Sequence, residues 1–443
     1  MDQRRPLPVP SGRIARAARL GAVAGGIAGS MAMGAAGTIG RGARPQMRDL
    51  LMTPANMARL ADGLARLRGA AMKIGQLVSM DAGDVMPPEL AAIFARLRDE
   101  THAMPPRQLK QVLTGAWGED WLRRVARFDV RPIAAASIGQ VHRMQLRDGR
   151  DLAVKVQYPG VARSIDSDVA NVGALVRMSG LLPSGFDLAP YLEEARRQLS
   201  QEADYGAEAA HLARFHARLS GEPGFAVPAP HPDWSTRDVL AMDFLEGRPI
   251  EEAAGLPQGA RDAIATALIS LFLRELFEWG EMQSDPNFAN YRYDEGAGEG
   301  RIVLLDFGAT RRFDPALVPV YRRMLHAGLR GDEGRVAEKA AALGLLRGTD
   351  APEHRARILA MMEMVFAELR AERPLNFARL DLARRFQDEG AALADAGYVP
   401  PPLPIDVLYL LRKLSGLYLL CARLGARAPV REMLASVPED PDG

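Results

Sequence analysis

The 443-residue chain carries a single cysteine, Cys421. One thiol excludes an intrachain disulfide framework and any zinc site built on cysteine, and it suits a reducing compartment. The chain also lacks an excess of either charge. Its 56 Lys and Arg stand against 55 Asp and Glu, for a formal net charge of +1. No overall basic surplus exists to drive sequence-independent binding of nucleic acid, so no nucleic-acid partner is expected. Lysine is scarce among the basic residues. Only Lys73, Lys110, Lys155, Lys339 and Lys413 occur, which leaves 51 arginines. A compositional bias toward arginine is the plain cause. It still makes each lysine worth following, because a compact ammonium and a planar guanidinium are not interchangeable.

Hydrophobic residues at 48% and charged residues at 25% are ordinary for a globular protein. The length suggests roughly two to three domains. Residues 1–45 form a basic, then Gly/Ala-rich, N-terminal segment. No charge occurs from Leu20 to Gly40. Gly21, Gly25 and Gly29 repeat at a spacing that lets two helices approach closely in lipid, and this allows a homodimer. Three readings compete for the stretch: a membrane-associated or self-associating helix, a simply soluble or flexible segment, and a signal peptide. Residues 46–118 read as helical, with Met57, Leu60, Leu64 and Leu67 at helical spacing and prolines opening further helices at Pro87-Pro88 and Pro105-Pro106. Residues 119–247 bring strands: one through Val141, Met144 and Leu146, a hairpin signal at Asp148-Gly149, and a second strand from Leu152 to Tyr158. Helical stretches follow at about 161–179 and 188–218, then a β pair at about Val239–Phe244. Residues 248–443 read as helical except for one apolar strand, Ile302–Leu305. Leu408, Leu411, Leu414 and Tyr418 read as the core face of a late helix.

Three pieces carry chemistry. Ala153-Val154-Lys155 places a lysine on a strand, as the nucleotide-lobe lysine of kinases is placed to reach the α- and β-phosphates. Asp285-Pro-Asn-Phe-Ala-Asn290 has the D-x-x-x-x-N spacing in which the aspartate meets the nucleophile and the asparagine holds a metal ion. Asp306-Phe307-Gly308 follows an apolar strand, the D-F-G context of a metal-binding aspartate. Each alone has a plain reading, as a solvated lysine, an Asp/Asn turn or a chance tripeptide. All three in this order on fitting elements are much harder to obtain by accident. A carboxylate must also anchor Lys155. Asp204 and Glu208 share a helical face at i,i+4, and Glu208 is the expected partner.

Other kinase features are missing. No G-x-G-x-x-G precedes Lys155. Ala134-Ala135-Ala136-Ser137-Ile-Gly-Gln140 stands there as a less permissive turn, since alanine disfavours positive φ. No A-P-E follows the D-F-G, and Gln283-Ser284 replaces the arginine expected before the catalytic aspartate. A conventional protein kinase with a peptide platform is therefore disfavoured.

With these residues the chain resembles the UbiB/AarF-type atypical kinases, in the ubiquinone-biosynthesis branch, over about residues 46–425. The resemblance rests on K-x-G-Q at Lys73–Gln76, the alanine-rich run at Ala134–Gln140, the Val154-Lys155 strand, E-x-D at Glu202–Asp204 with Glu208 after it, and the motifs Asp285–Asn290 and Asp306–Gly308. It implies an α+β, protein-kinase-like bilobal fold with an added N-terminal helical subdomain. Lys73 and Gln76 would enter and close the pocket where a peptide normally sits, with Lys73 paired to Glu202 or Asp204. The resemblance also implies ATP or ADP with Mg2+. Asn290 and Asp306 would hold the metal and Asp285 would be catalytic. Nucleotide would be contacted by Ala134, Ala135, Ala136, Ser137 and Lys155 and by a hinge at Met242, Phe244 and Leu245. Partners implied are membrane lipid and quinone-biosynthesis enzymes, at the cytoplasmic face of an inner membrane. The expected function is an atypical kinase or ATPase supporting ubiquinone biosynthesis. The alternatives are a phosphotransferase acting on a lipid or small molecule and a nucleotide-gated scaffold.

Overall fold

The computed structural model describes residues 53–81, 103–136, 138–179, 187–296, 300–399, 401 and 403–439, with single positions at 25, 30, 33, 35 and 93. Apart from those single positions, the uncharged stretch 20–40 and the helix expected from Pro87 lie outside the described residues. Among the described residues no helix is long and apolar enough to cross a membrane. The chain divides into two compact units. The first comprises Met1–Ala213 and Ala229–Phe244, the second Arg214–Pro228 and Leu245–Gly443.

The first unit holds helices α1 (Pro54–Arg66) and α2 (Arg68–Asp81). Thr53 caps α1 by accepting from Asn56 N at 3.3 Å, and Pro54 fits the first turn, where no amide partner is needed. Helix α3 (Pro106–Trp117) precedes the strands β1 (Val125–Phe128), β2 (Ala134–Ala136), β3 (Gly139–Leu146) and β4 (Asp151–Gln157). Helices α4 (Val161–Met178), α5 (Ala189–Glu202) and α6 (Tyr205–Leu219) follow. The short β5 (Phe225–Ala226) groups with the second unit, and β6 (Val239–Asp243) returns to the first. The sheet runs in the order β1-β3-β4-β6, with β2 also on β3, and all its pairings are antiparallel. Residues 239–244 thus give one strand rather than the expected β pair. At the β3–β4 turn Gly149 takes a φ of +94°, which a side chain would resist.

Strand periodicity sets the two faces of this sheet. Leu152, Val154 and Val156 of β4 turn into a core with Met144, Trp121 and Trp234, joined by Leu109 and Leu113 of α3. Lys155 must then face the other way. Helices α1, α2, α4 and α5 form a separate core through Leu64, Ile74, Val172 and Leu199.

The second unit holds β7 (Arg248–Pro249), α7 (Gln258–Phe277), β8 (Glu281–Gln283), β9 (Tyr291–Asp294), β10 (Arg301–Leu304) and β11 (Thr310–Arg312). The remaining elements are α8 (Leu317–Arg330), α9 (Glu333–Ala342), α10 (Pro352–Leu369), β12 (Leu375–Asn376), α11 (Leu382–Asp395), α12 (Ile405–Leu424), β13 (Arg427–Ala428) and α13 (Val430–Ala435). The expectation of a single strand here is corrected: β5-β10-β9-β7 form one sheet, β8 pairs with β11, and β12 with β13. These strands are two to four residues long, too short for an alternation pattern to show. Helix α7 buries Leu268, Leu271 and Phe272, and α12 buries Val407, Leu410 and Leu420. The face of α12 expected to be core is corrected too: Leu408, Leu411 and Leu414 are exposed. The buried positions of α12 lie on the opposite side and include Lys413, Gly416 and Cys421. Burial pushes the Cys421 thiol up to about 12, so the one cysteine is a protonated packing group.

One buried group gives the first unit a definite acid response. Gln140 Oε1 accepts from Met104 N at 2.8 Å, so its amide nitrogen faces His142 Nε2 at 2.7 Å as donor. His142 Nε2 must then be unprotonated, and its Nδ1 proton goes to Asp129 O at 2.8 Å. Burial lowers the His142 pKa, against the opposing pull of Asp129. The unfolded chain therefore takes up this proton first, and stability falls as pH drops below the ordinary histidine value of about 6.5. We expect the melting temperature to decline from pH 6.5 toward 5. A His142→Leu variant, less stable at pH 7.5, should show a shallower decline over that range.

Candidate active site

In the first unit two lysines are buried on carboxylates. Lys155, 6% exposed, donates to Glu208 Oε1 at 2.5 Å. Lys73 of α2, 3% exposed, donates to Glu202 Oε1 at 2.5 Å. An ammonium out of water is tolerated only when paired in this way. A break in the helical run expected over 188–218 makes both pairs possible. It falls at Ala203–Asp204, before Gly206. Asp204 Oδ1 accepts from Ala207 N at 2.9 Å and so caps α6, rather than sharing a face with Glu208. The open Ala203 carbonyl accepts from Gln157 Nε2 at 2.8 Å. Glu202 thus ends one helix and Glu208 sits in the first turn of the next. Gly139 lets β3 approach closely, since an added Cβ would stand 2.4 Å from Val156 O and 3.0 Å from the Tyr205 hydroxyl.

Ala134, Ala135 and Ala136 are a strand laddered to β3, not the open turn expected; the turn follows them, and Ser137 lies outside the described residues. Nothing is described of the Gln76 side chain, although its backbone belongs to α2. Met242 is buried at the end of β6. Asp243 N donates to Ala229 O at 3.0 Å, and Phe244 N to Asp151 O at 2.9 Å. The Phe244 amide is therefore engaged within the first unit. Leu245 begins the next segment of the second unit.

In the second unit the metal motifs are joined through the backbone. Gln283 pairs with Thr310 in the β8–β11 ladder. Ser284 donates to Ala309 O from N at 3.1 Å and from Oγ at 2.7 Å, and Leu305 N donates to Asn290 O at 3.0 Å. The loop 285–290 and the D-F-G turn are thus held to each other at both ends. Phe307 is buried against Phe215, with ring centroids 4.8 Å apart. Asn290 Nδ2 donates to Asp285 Oδ2 at 3.1 Å, which leaves the Asn290 amide oxygen as an acceptor. Asp306 Oδ1 accepts from Gly308 N at 3.0 Å. Asn290 and Asp306 line one small pocket with Phe307, Gln283 and Tyr291.

One amide and one carboxylate form a sparse oxygen set. Magnesium is commonly held this way, keeping several waters and bonding to substrate phosphates. Among the described residues no group of three or more His, Cys, Asp or Glu converges as a metal cage. The residues present therefore fit a magnesium ion that arrives with nucleotide.

Sequence reasoning missed a third buried lysine. Lys413 of α12, 6% exposed, donates to Gln283 O at 2.7 Å and Tyr291 Oη at 3.0 Å, with Glu275 Oε2 at 3.6 Å. Burial opposes its charge, but Glu275 and Tyr291 outweigh burial and raise its pKa. Its neighbour Arg412 reaches Asp285 Oδ1 at 3.3 Å. The scarcity of lysine is the one signal that could have found it. No linear motif ties residue 413 to residue 285.

A family model described as the ABC1 atypical kinase-like domain matches residues 96–340. The mitochondrial atypical kinase COQ8B of Rattus norvegicus is 37% identical over 438 residues, covering 98% of this chain and 81% of its own. COQ8 of Saccharomyces cerevisiae is 34% identical over 423 residues, covering 94% and 83%. Caenorhabditis elegans coq-8 is 37% identical over 425 residues, and this chain spans 56% of its length. The chain belongs to the ABC1 atypical kinase family, the UbiB/COQ8 group. Its enzyme class is that of an ATP-dependent atypical kinase or ATPase, and its fold is the α+β kinase-like one expected. Among solved structures, Rv3197 of Mycobacterium tuberculosis, determined with erythromycin, matches with a TM-score of 0.60 at 25% identity, covering 84% of this chain and 93% of that one.

The burial of Lys155 and Glu208 has a measurable consequence. Replacing Glu208 with Ala leaves the ammonium buried without its carboxylate, at a cost of about 3–5 kcal/mol. The partly exposed Arg150–Asp233 pair should lose less than about 1 kcal/mol on Asp233→Ala. Urea denaturation of the two variants beside the wild type checks the contrast.

Proposed function

We propose that the protein is a magnesium-dependent ATPase or atypical kinase that supports ubiquinone biosynthesis. The observation that carries this reading is the buried Lys155–Glu208 pair, a fixed positive charge on a strand of a family of atypical kinases. Lys155 binds the α- and β-phosphates, and Glu208 holds its Nζ in place. Asn290 and Asp306 hold magnesium, which when bound neutralises charge on the phosphate oxygens. Asp285, fixed by Asn290, orients the attacking oxygen. Positioning and charge neutralisation supply most of what phosphoryl transfer needs.

Lys73, Gln76, Glu202 and Asp204 belong to a pocket-closing element in this reading. Lys73–Glu202 is the contact that supports it. Ala134–Ser137 would contact the phosphates, and Leu245 would belong to the hinge that contacts adenine. The site of action is the cytoplasmic face of an inner membrane, with lipid and quinone-biosynthesis enzymes as partners. The mitochondrial names of the relatives and the uncharged stretch 20–40 support it.

Adding Mg-ATP should raise the melting temperature by several degrees, and EDTA should abolish the rise. Asp306→Asn should lose the magnesium-dependent part while the ion pair of the first unit is untouched. ATP hydrolysis should be measurable, be stimulated by anionic liposomes, and fall at least 100-fold in Lys155→Met. A folded protein that shows neither a shift nor turnover with Mg-ATP would refute the reading.

A further inference from the structure

We propose that Arg412 and Lys413, neighbours on α12, are the positioning residues of the Asp285 loop. The loop itself has Gln283-Ser284 where kinases carry an arginine. The inference rests on the role proposed for Asp285.

The geometry is a grip at three points. Arg412 Nη2 lies 3.3 Å from Asp285 Oδ1, while Asn290 Nδ2 holds the other oxygen at 3.1 Å. Both carboxylate oxygens thus have a donor, from opposite ends of the loop's surroundings, and rotation about the Asp285 side chain is opposed on both sides. Lys413 holds Gln283 and Tyr291, one on each side of the loop. Its three protons serve Gln283 O at 2.7 Å, Gln283 Oε1 at 3.2 Å and Tyr291 Oη at 3.0 Å. Glu275 completes the clamp from α7, accepting from Gln283 N at 3.0 Å and standing 3.6 Å from Lys413 Nζ. Both peptide groups of Gln283 are therefore tied to charged side chains on two different helices.

The third point is Gly416, one turn along α12 from Lys413. A Cβ there would stand 2.1 Å from the Cβ of Pro286. Glycine at this position lets α12 lie directly on the residue after Asp285. Positions 412, 413 and 416 share adjoining sides of one helix, and each meets a different part of the loop.

A charged donor at 3.3 Å cannot be replaced by an apolar one without freeing the carboxylate. Freeing it disturbs the orientation of the nucleophile and not the binding of nucleotide. That separation distinguishes positioning from general support of the fold.

The test uses the full-length protein with Arg412→Ala, Arg412→Lys and Lys413→Met. Arg412→Ala should lower kcat for Mg-ATP hydrolysis 10- to 100-fold with KM for Mg-ATP within twofold and the melting temperature little changed. Arg412→Lys should recover part of kcat. Amide hydrogen exchange gives a readout that needs no turnover. Peptides covering 283–291 should exchange at least tenfold faster in Arg412→Ala and Lys413→Met, while those covering β3 and β4 keep the wild-type rate. Unchanged exchange in 283–291, or loss of kcat, KM and melting temperature together in Arg412→Ala, overturns the proposal. Wild-type protein without turnover would instead count against the function proposed for the site, and the exchange measurement would still decide this inference.

Discussion

The chain depends on a recurring arrangement, an ammonium group withdrawn from water and matched by a glutamate. Three of its five lysines are buried in this way: Lys73 on Glu202, Lys155 on Glu208 and Lys413 on Glu275. Such pairs are poor sources of stability, because removing two charges from water offsets most of their attraction. Their value lies in geometry. A buried charge with one good partner has very few positions open to it, so its elements are fixed to each other. Lys73 ties α2 to α5, Lys155 ties β4 to α6, and Lys413 ties α12 to α7. Arginine does not substitute easily here, since its larger fork needs several acceptors where the compact ammonium needs few. In a chain so biased toward arginine, lysine persists at three buried sites of this kind.

The Asp204 cap decides whether the first unit can form two of these pairs. An unbroken helix would carry Glu202 and Glu208 about 600° around the axis, at roughly 100° per residue, which leaves them about 120° apart and on different faces. Ending one helix at Glu202 and starting another at Tyr205 releases that constraint. Asp204 provides the stop through its cap on Ala207 N, and Gln157 takes the carbonyl that the stop exposes. An acid that the family resemblance pairs with Lys73 thus acts here in backbone geometry.

The legible parts of the sequence are those in which local pattern and fold agree. The alternation Leu152, Val154, Val156 decides which way Lys155 points. Asp148-Gly149 decides the hairpin, and the order of Lys155, Asp285–Asn290 and Asp306–Gly308 marks the chemistry. What stayed hidden has physical reasons. Strands of two to four residues, such as β8 and β11, show no periodicity, and their pairing is decided by the loop they flank. Leu408, Leu411 and Leu414 have helical spacing, but spacing reports a shared face and not which side of the helix is covered. The buried side of α12 carries a lysine, a glycine and a cysteine among its apolar residues, and hydropathy underrates it. Gln140 reads as part of an alanine-rich turn, yet its side chain accepts from Met104 N and meets His142.

The domain that the family model recognises ends at residue 340, whereas the helix that meets Asp285 begins at Ile405. The loop's own residues cannot fix its carboxylate. Asn290 supplies one donor, to Oδ2, and leaves Asp285 Oδ1 unmatched. Ser284, just before the aspartate, is turned to Ala309 O, and Gln283 is buried and faces Lys413. Any second donor has to come from another element, and a rigid helix carries it more accurately than a loop would. The same argument explains why Arg412 and Lys413 are adjacent. On a helix, consecutive residues diverge by about 100°, so one can reach the carboxylate while the other reaches the backbone behind it. Two cations side by side would repel in the open. Here each is matched at once, Arg412 by Asp285 and Lys413 by Glu275, so the repulsion is met by the same contacts that place the loop.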